Sequence, residues 1–316
     1  MSVDNVKGVG SKTAEKLEKH GINDVKSLAM SSENALTEEI GLGEGTAKKI
    51  LANARDQLKS HDTGFDRGDT AKEKEDKLGK ITTGSEKVDG LLGSGGVSTG
   101  YITELYGKNS SGKSQMAITL AATVQLPEEE GGIDKGVIYI DTESAFMPDR
   151  FMQVAEKKGL DPDKALENLY VSDTIDTNDL LEKVKNAKKL CGQEDIGLVI
   201  VDSIIGPFRA EFSGRNELTE RQNKLGDVIL GLRELVRAHG VAVAYTNQVY
   251  DDPGEMFGDS VRPAGGNVLG HNSSFRVYLQ DRKSKGWAAK LTDSPGLPQR
   301  EVYFDINESG VTDKDE

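Results

Sequence analysis

Two glycines with four residues between them stand directly ahead of a lysine and a serine in Gly107-Lys108-Asn109-Ser110-Ser111-Gly112-Lys113-Ser114. This G-x-x-x-x-G-K-[ST] spacing suits one chemistry. Small residues let successive backbone amides wrap a triphosphate, the lysine neutralises its β and γ phosphates, and the hydroxyl reaches a Mg²⁺ ion. The flanks agree with this reading. Tyr101 to Tyr106 alternates like a strand, and Gln115 to Val124 reads as the helix that follows. The chemistry expected here is binding of ATP with Mg²⁺, through Gly107 to Ser114 and the helix-opening Gln115.

Three further apolar runs end in polar groups of the kind that cleaves a phosphoanhydride. Leu198-Val199-Ile200-Val201-Asp202 ends in a carboxylate placed to hold the metal with Ser114. Val137-Ile138-Tyr139-Ile140-Asp141 leads into Thr142-Glu143, where Glu143 can polarise the attacking water. Val241 to Thr246 ends at Asn247-Gln248, an amide pair able to sense the γ-phosphate. Each is also readable as an ordinary polar residue at a strand end. Taken together they fit an open α/β sheet, whose ligands gather at strand C-termini.

The elements that must position these groups divide the chain of 316 residues into three. Residues 1–61 read as helical. Val6-Lys7-Gly8-Val9-Gly10 and Ile40-Gly41-Leu42-Gly43 each place a Gly-apolar-Gly turn ahead of a helix, a helix-hairpin-helix pattern that presents helix N-terminal amides to a DNA phosphate. A small helical bundle binding protein, or nothing, is the other reading. Residues 62–79 form a charged linker, and between Leu58 and Leu78 Phe65 is the one large apolar side chain. It is expected to plug a pocket, in its own domain or on a neighbouring subunit. Residues 80–316 alternate strand and helix patterns, predicting an α/β core with a mostly parallel sheet.

Composition bounds the partners. Net charge is −13, which disfavours a broad nucleic-acid surface. Any DNA site is therefore local, built from a few cations and loop amides. The single cysteine, Cys191, excludes an internal disulfide. Met1 to Asn5 carries no signal-peptide pattern, and no apolar run is long enough to cross a membrane. A soluble, cytoplasmic, nucleoid-associated protein is expected.

The blocks Ile81-Thr82-Thr83-Gly84-Ser85, Val124-Gln125-Leu126-Pro127, Asp141-Thr142-Glu143, Phe208-Arg209-Ala210-Glu211, Thr246-Asn247-Gln248-Val249, Gly265-Gly266-Asn267 and Asp293-Ser294-Pro295, in this order, resemble the archaeal RadA recombinases and their eukaryotic relatives within the RecA family. The resemblance implies that Glu143 is the catalytic glutamate, Gln248 the γ-phosphate sensor and Arg150 the side chain stacking on adenine. It implies that Arg215 and Arg221 belong to the first DNA loop and its following helix. Gly265 and Gly266 fall in the second loop, and Asp293 to Pro295 cap ATP on an adjacent subunit. Residues 203–217 and 249–271 read independently as long functional loops. Arg209, Arg215 and Arg221 there add positive charge to an acidic domain.

The implied activity is DNA-dependent ATP hydrolysis coupled to polymerisation on single-stranded DNA, pairing with duplex DNA and strand exchange. The expected partners are both DNA forms, further copies in a filament or ring, and recombination mediators. The altered linker motif and the acidic balance favour a second reading, a paralogue or mediator that binds ATP without exchanging strands, while the set Lys113, Asp202, Glu143 and Gln248 and the N-terminal domain argue against it. Several departures from the family's pattern stand out. Phe65-Asp66-Arg67-Gly68 carries Gly where the family's Phe-x-x-Ala assembly motif has Ala. Met147 stands where relatives often carry Arg, the interior Ser110-Ser111 looks more like bacterial RecA, and Asp251-Asp252 puts acid at the second loop. A RecA-like helicase is a third reading, disfavoured by the N-terminal domain and Gly265-Gly266-Asn267.

Overall fold

A computed structural model describes residues 2–59, 66–93, 95–212, 214, 217–251 and 261–314. Phe65, Arg215 and Asp252 lie outside the described residues.

The two Gly-apolar-Gly turns do precede helices. Helix α1 (Ser11–Glu18) follows the first, α2 (Val25–Met30) comes next, and α3 (Glu44–Lys59) follows the second, after a π-helical turn at Ala35–Glu39. Asp24 caps α2 by accepting from the Ser27 amide at 2.8 Å. Val3, Leu17, Leu28, Leu36, Ile50 and Ala54 close a small core of their own. The charged segment that reads as a linker carries helix α4 (Gly68–Asp76), with no buried residue. Its Lys, Glu and Ala residues favour helix, and Lys72–Asp76 is an i,i+4 ion pair.

The large domain opens with β1 (Lys80–Ile81), α5 (Glu86–Leu91) and β2 (Val97–Ser98), then β3 (Ile102–Gly107) and α6 (Lys113–Thr123). Next come β4 (Gly136–Asp141), α7 (Pro148–Lys157), α8 (Pro162–Glu167), β5 (Leu169–Asp173), α9 (Thr177–Cys191) and β6 (Ile196–Asp202). Helices α10 (Gly206–Glu211) and α11 (Leu218–His239) lead to β7 (Ala242–Asp251), β8 (Val261–Pro263) and α12 (Gly266–Gly270). Strands β9 (Phe275–Asp281), β10 (Trp287–Asp293), β11 (Glu301–Asn307) and β12 (Gly310–Asp313) finish the chain.

The main sheet has ten strands in the order β12-β11-β10-β9-β3-β7-β6-β4-β5, with β8 added on β7. From β9 to β5 every neighbouring pair is parallel, and β9 to β12 is antiparallel. β6 is buried along its whole length, which explains its unbroken apolar sequence. One face packs on α5 to α8 through Leu105, Met116, Leu120 and Phe151. The other packs on α9 to α12 through Val184, Phe208, Leu232 and Tyr245.

Both expected loops contain more regular structure than their composition suggests. In 203–217, Pro207 sits in the first turn of α10 while Phe208 and Phe212 anchor it in the core. In 249–271, β7 runs on to Asp251 and pairs antiparallel with β8, Val249 facing Pro263. The pairing joins residues on either side of the loop, so no local pattern announces it. The small domain rests on the α9–α11 face: the Asn23 side-chain amide donates to the Gly192 carbonyl, and Lys185 meets Glu39 at 3.0 Å. Among the described residues no helix is long and apolar enough to cross a membrane.

Candidate active site

Strand β3 delivers the glycine-rich loop to the sheet's C-terminal edge, where Gly107 lies in register with Gln248 on β7 and Leu279 on β9. A side chain cannot replace Gly107, because a Cβ there would fall 2.2 Å from the Leu279 carbonyl oxygen and 2.5 Å from Ser111 Oγ. Gly112 turns the chain into α6 with φ of 92°, in the left-handed region. A Cβ at Gly112 would press on Ile306 and Trp287. Lys113 Nζ donates to the carbonyls of Gly107 (3.1 Å) and Lys108 (2.8 Å). Burial pushes its pKa down, opposed by Asp202 and Glu143. Ser114 and Gln115 open the helix behind it, Ser114 exposed to solvent.

The carboxylates converge on the same edge. Asp141 and Asp202 end adjacent parallel strands in register. Asp202 is 7% exposed; one oxygen accepts from the Tyr139 hydroxyl at 2.7 Å and the other from the Thr246 hydroxyl. Tyr139, its own pKa driven well up by burial and then by Asp202, stays a proton donor. Asp141 builds the next turn, accepting from the amides of Glu143 (3.0 Å) and Phe146 (2.7 Å). That turn aims Glu143 back at β6 and β7. Its Oε1 accepts from Ser203 Oγ at 2.7 Å and from Gln248 Nε2 at 2.8 Å.

Arg150, on α7, donates to Gln115 Oε1 (2.9 Å), Gln153 Oε1 (2.5 Å) and the carbonyls of Asn307 (2.6 Å) and Glu308 (3.1 Å). Burial lowers its pKa while Glu308 opposes the shift. The guanidinium is thus fixed between the start of α6 and the β11–β12 turn.

A metal and nucleotide fit these residues. A hydroxyl and a buried carboxylate are oxygen donors of the kind Mg²⁺ takes beside phosphate oxygens. Main-chain carbonyls around Lys113 hold its ammonium at the loop. Among the described residues no cluster of three or more His, Cys, Asp or Glu forms a metal site of its own.

The remaining expected residues lie elsewhere. Asp293 and Pro295 are exposed. Asp293 pairs with Arg276, which lies beside Glu104, three residues before Gly107. Asp293 therefore sits about 10 Å down the sheet from the chain's own phosphate loop. Arg209 is exposed on α10; Arg221 is half-buried on α11, its Nε without a hydrogen-bond partner. Gly265 and Gly266 both have positive φ at the start of α12. Gly68, first residue of α4, has no neighbour within 4 Å of a Cβ built there.

The residues not singled out from sequence are those that hold the others: Tyr139, Asp141, Ser203 and Thr246; Asn247, read from sequence beside Gln248, instead donates to Glu104 and to the Ala264 carbonyl. Strand alternation was their available signal. Tyr139 and Asp141 share a face of β4, and Thr246 shares a face of β7 with Gln248.

Two family models match the chain. Residues 1–56 match the SAM-like helix-hairpin-helix tandem and residues 74–314 match Rad51. Because the Rad51 match spans most of the chain and lies on an open α/β sheet behind a helix-hairpin-helix domain, the chain belongs to the Rad51 family of RecA-like recombinase ATPases.

Proposed function

We propose that this protein is a RadA-type recombinase of the archaeal kind: a DNA-dependent ATPase that polymerises on single-stranded DNA, pairs it with homologous duplex and exchanges strands. The observation that carries the proposal is the Gln248–Glu143 hydrogen bond. It joins the hydrolytic carboxylate to the strand that runs directly into the second DNA loop.

In this reading the loop amides of residues 107 to 114 and Lys113 bind the phosphates. Ser114 and Asp202 would hold Mg²⁺, which would offset charge on the phosphate oxygens. Arg150 offers its guanidinium plane to adenine. Glu143 accepts the proton of the water attacking the γ-phosphorus, giving ADP and phosphate. Gln248, hydrogen-bonded to the same carboxylate, moves when a γ-phosphate is present. Arg209, Arg215, Arg221 and the amides at Gly265 and Gly266 contact the DNA backbone. Sequence is read by base pairing, so a few backbone contacts suffice on an acidic protein. The position of Asp293, away from its own phosphate loop, supports a role for Asp293 to Pro295 in capping ATP on the next copy. Phe65 and Gly68 supply the assembly motif, and the helix-hairpin-helix domain offers a further duplex contact.

Electron microscopy with ATP and single-stranded DNA, run beside a strand-exchange assay, tests the proposal. Helical filaments and joint molecules are expected. ATP binding without either product identifies a paralogue or mediator instead.

A further inference from the structure

Successive residues of β7 point to opposite faces of the sheet. Gln248 faces the phosphate loop. Asn247 faces the other way, toward α12, where a buried carboxylate meets it. Glu104, in the middle of β3, is 0% exposed. Its Oε1 accepts from Asn247 Nδ2 at 2.7 Å and its Oε2 from Arg276 Nε at 2.5 Å. A buried ion pair of this kind contributes little net stability, since desolvation offsets attraction. Packing alone does not call for one here.

What the pair touches suggests its use. The second proton of Asn247 Nδ2 goes to the Ala264 carbonyl at 2.8 Å, and the Ala264 amide donates to the Gln248 carbonyl at 2.8 Å. Ala264 immediately precedes Gly265-Gly266. At the other end of this segment, the Arg276 guanidinium lies against Gly270, where a Cβ would meet Nη1 at 3.2 Å. Arg276 is itself held over the Tyr106 ring at 5.6 Å, and Tyr106 donates to Thr292 Oγ1 at 3.0 Å. Both ends of Ala264 to Gly270 thus rest, through one side chain each, on the Glu104 carboxylate.

We infer that Glu104 is a positioning residue that couples the nucleotide state of β7 to the second DNA loop, by holding Asn247 and Arg276 against the two ends of Ala264 to Gly270. It is fully buried and is not among the residues proposed to contact phosphate or DNA. A displacement of Gln248 turns β7, changes the angle at which Asn247 meets the Ala264 carbonyl, and shifts the loop against an anchor that stays in place. The inference rests on the second-loop assignment proposed above.

The test is Glu104→Gln, read as ATP turnover with and without single-stranded DNA. The amide cannot accept from both Asn247 and Arg276, because its nitrogen opposes one of the two donors. DNA-free turnover and the KM for ATP should stay within about twofold of wild type, while the DNA-stimulated rate falls about fivefold or more. Stimulation equal to wild type overturns the inference. If the buried arginine left unpaired lowers the urea midpoint, Glu104→Gln with Arg276→Met removes both charges and is read in its place. The double variant should regain stability without regaining stimulation, and full stimulation overturns the inference. Hydrogen exchange of the wild type needs no variant: amides of residues 264–270 should gain protection with Mg²⁺ and a non-hydrolysable ATP analogue, and unchanged exchange counts against the coupling. Wild-type protein that DNA fails to stimulate refutes the recombinase reading itself, an outcome distinct from an unaffected Glu104 variant.

Discussion

Replacing Glu143 with Gln isolates the chemistry of the proposed catalytic base. The side chain keeps its length, and its amide oxygen can still accept from Ser203 Oγ and Gln248 Nε2, now at 2.7 and 2.8 Å. The turn that carries it is built by Asp141 and is unaffected. Stability should therefore change by less than about 0.5 kcal/mol, the range for an exposed substitution that breaks no named interaction. The phosphate loop and Lys113 are also untouched, so affinity for ATP should stay within about threefold. What disappears is the lone pair that takes the proton. General-base catalysis contributes about 10²–10⁴ in rate, so a loss near 10³, or about 4 kcal/mol of barrier, is expected. Phosphate release measured with single-stranded DNA present, beside equilibrium binding of a fluorescent ATP analogue, separates the two effects. Turnover within about threefold of wild type would refute the assignment. Lost binding together with lost turnover would show that Glu143 holds the nucleotide rather than the water.

Other perturbations test the supporting residues. Tyr139→Phe removes one of the two hydroxyls held by Asp202, and should weaken apparent Mg²⁺ affinity about tenfold in a metal titration of ATP binding; an unchanged titration removes Tyr139 from the metal's surroundings. Gly68→Ala meets no steric obstacle at the start of α4, so it should stabilise that helix by up to about 1 kcal/mol and, on the assembly reading, promote polymerisation detectable by light scattering. Phe65→Ala should abolish assembly yet leave a folded monomer in analytical ultracentrifugation. Asp313 sits at the start of α5: burial pushes its pKa up, but the Ser85 hydroxyl and the amides of Lys87 and Glu86 outweigh that and hold it below its usual range. Its contribution is therefore present above the unfolded value of about 4 and lost as pH falls through the folded one. Asp313→Asn should cost about 1 kcal/mol in urea unfolding at pH 7, and less on approaching the folded pKa.

The glycine-rich loop and the polar groups at the ends of neighbouring strands were legible as positions in the fold because each depends on local spacing. A G-x-x-x-x-G-K-S run between a strand pattern and a helix pattern leaves few alternatives, and parallel strands bring their C-terminal ends to one edge. The paired Gly-apolar-Gly turns were legible for the same reason, since each marks a helix start within a few residues. The regular structure inside the two loops was not. α10 is held by Phe208 and Phe212 reaching a core assembled from distant helices, and β8 forms only by pairing back on β7. Helix α4 was obscured because its charged composition suits a solvated helix and a linker equally well.

By itself the sequence determined where a glycine-rich loop joins a strand to a helix, and which charged and polar groups end the neighbouring strands. Those choices follow from residue type and short spacing. Only the tertiary structure decided which of them meet. Ser203 and Gln248 share one oxygen of Glu143, Tyr139 and Thr246 orient Asp202, and Asp293 lies away from its own phosphate loop. The Glu104 carboxylate, an ordinary residue in a strand pattern, becomes the common support of Asn247 and Arg276. Such contacts join residues from 44 positions apart, for Thr246 and Asp202, to 172, for Arg276 and Glu104. Strand order, which no local spacing encodes, brings them together.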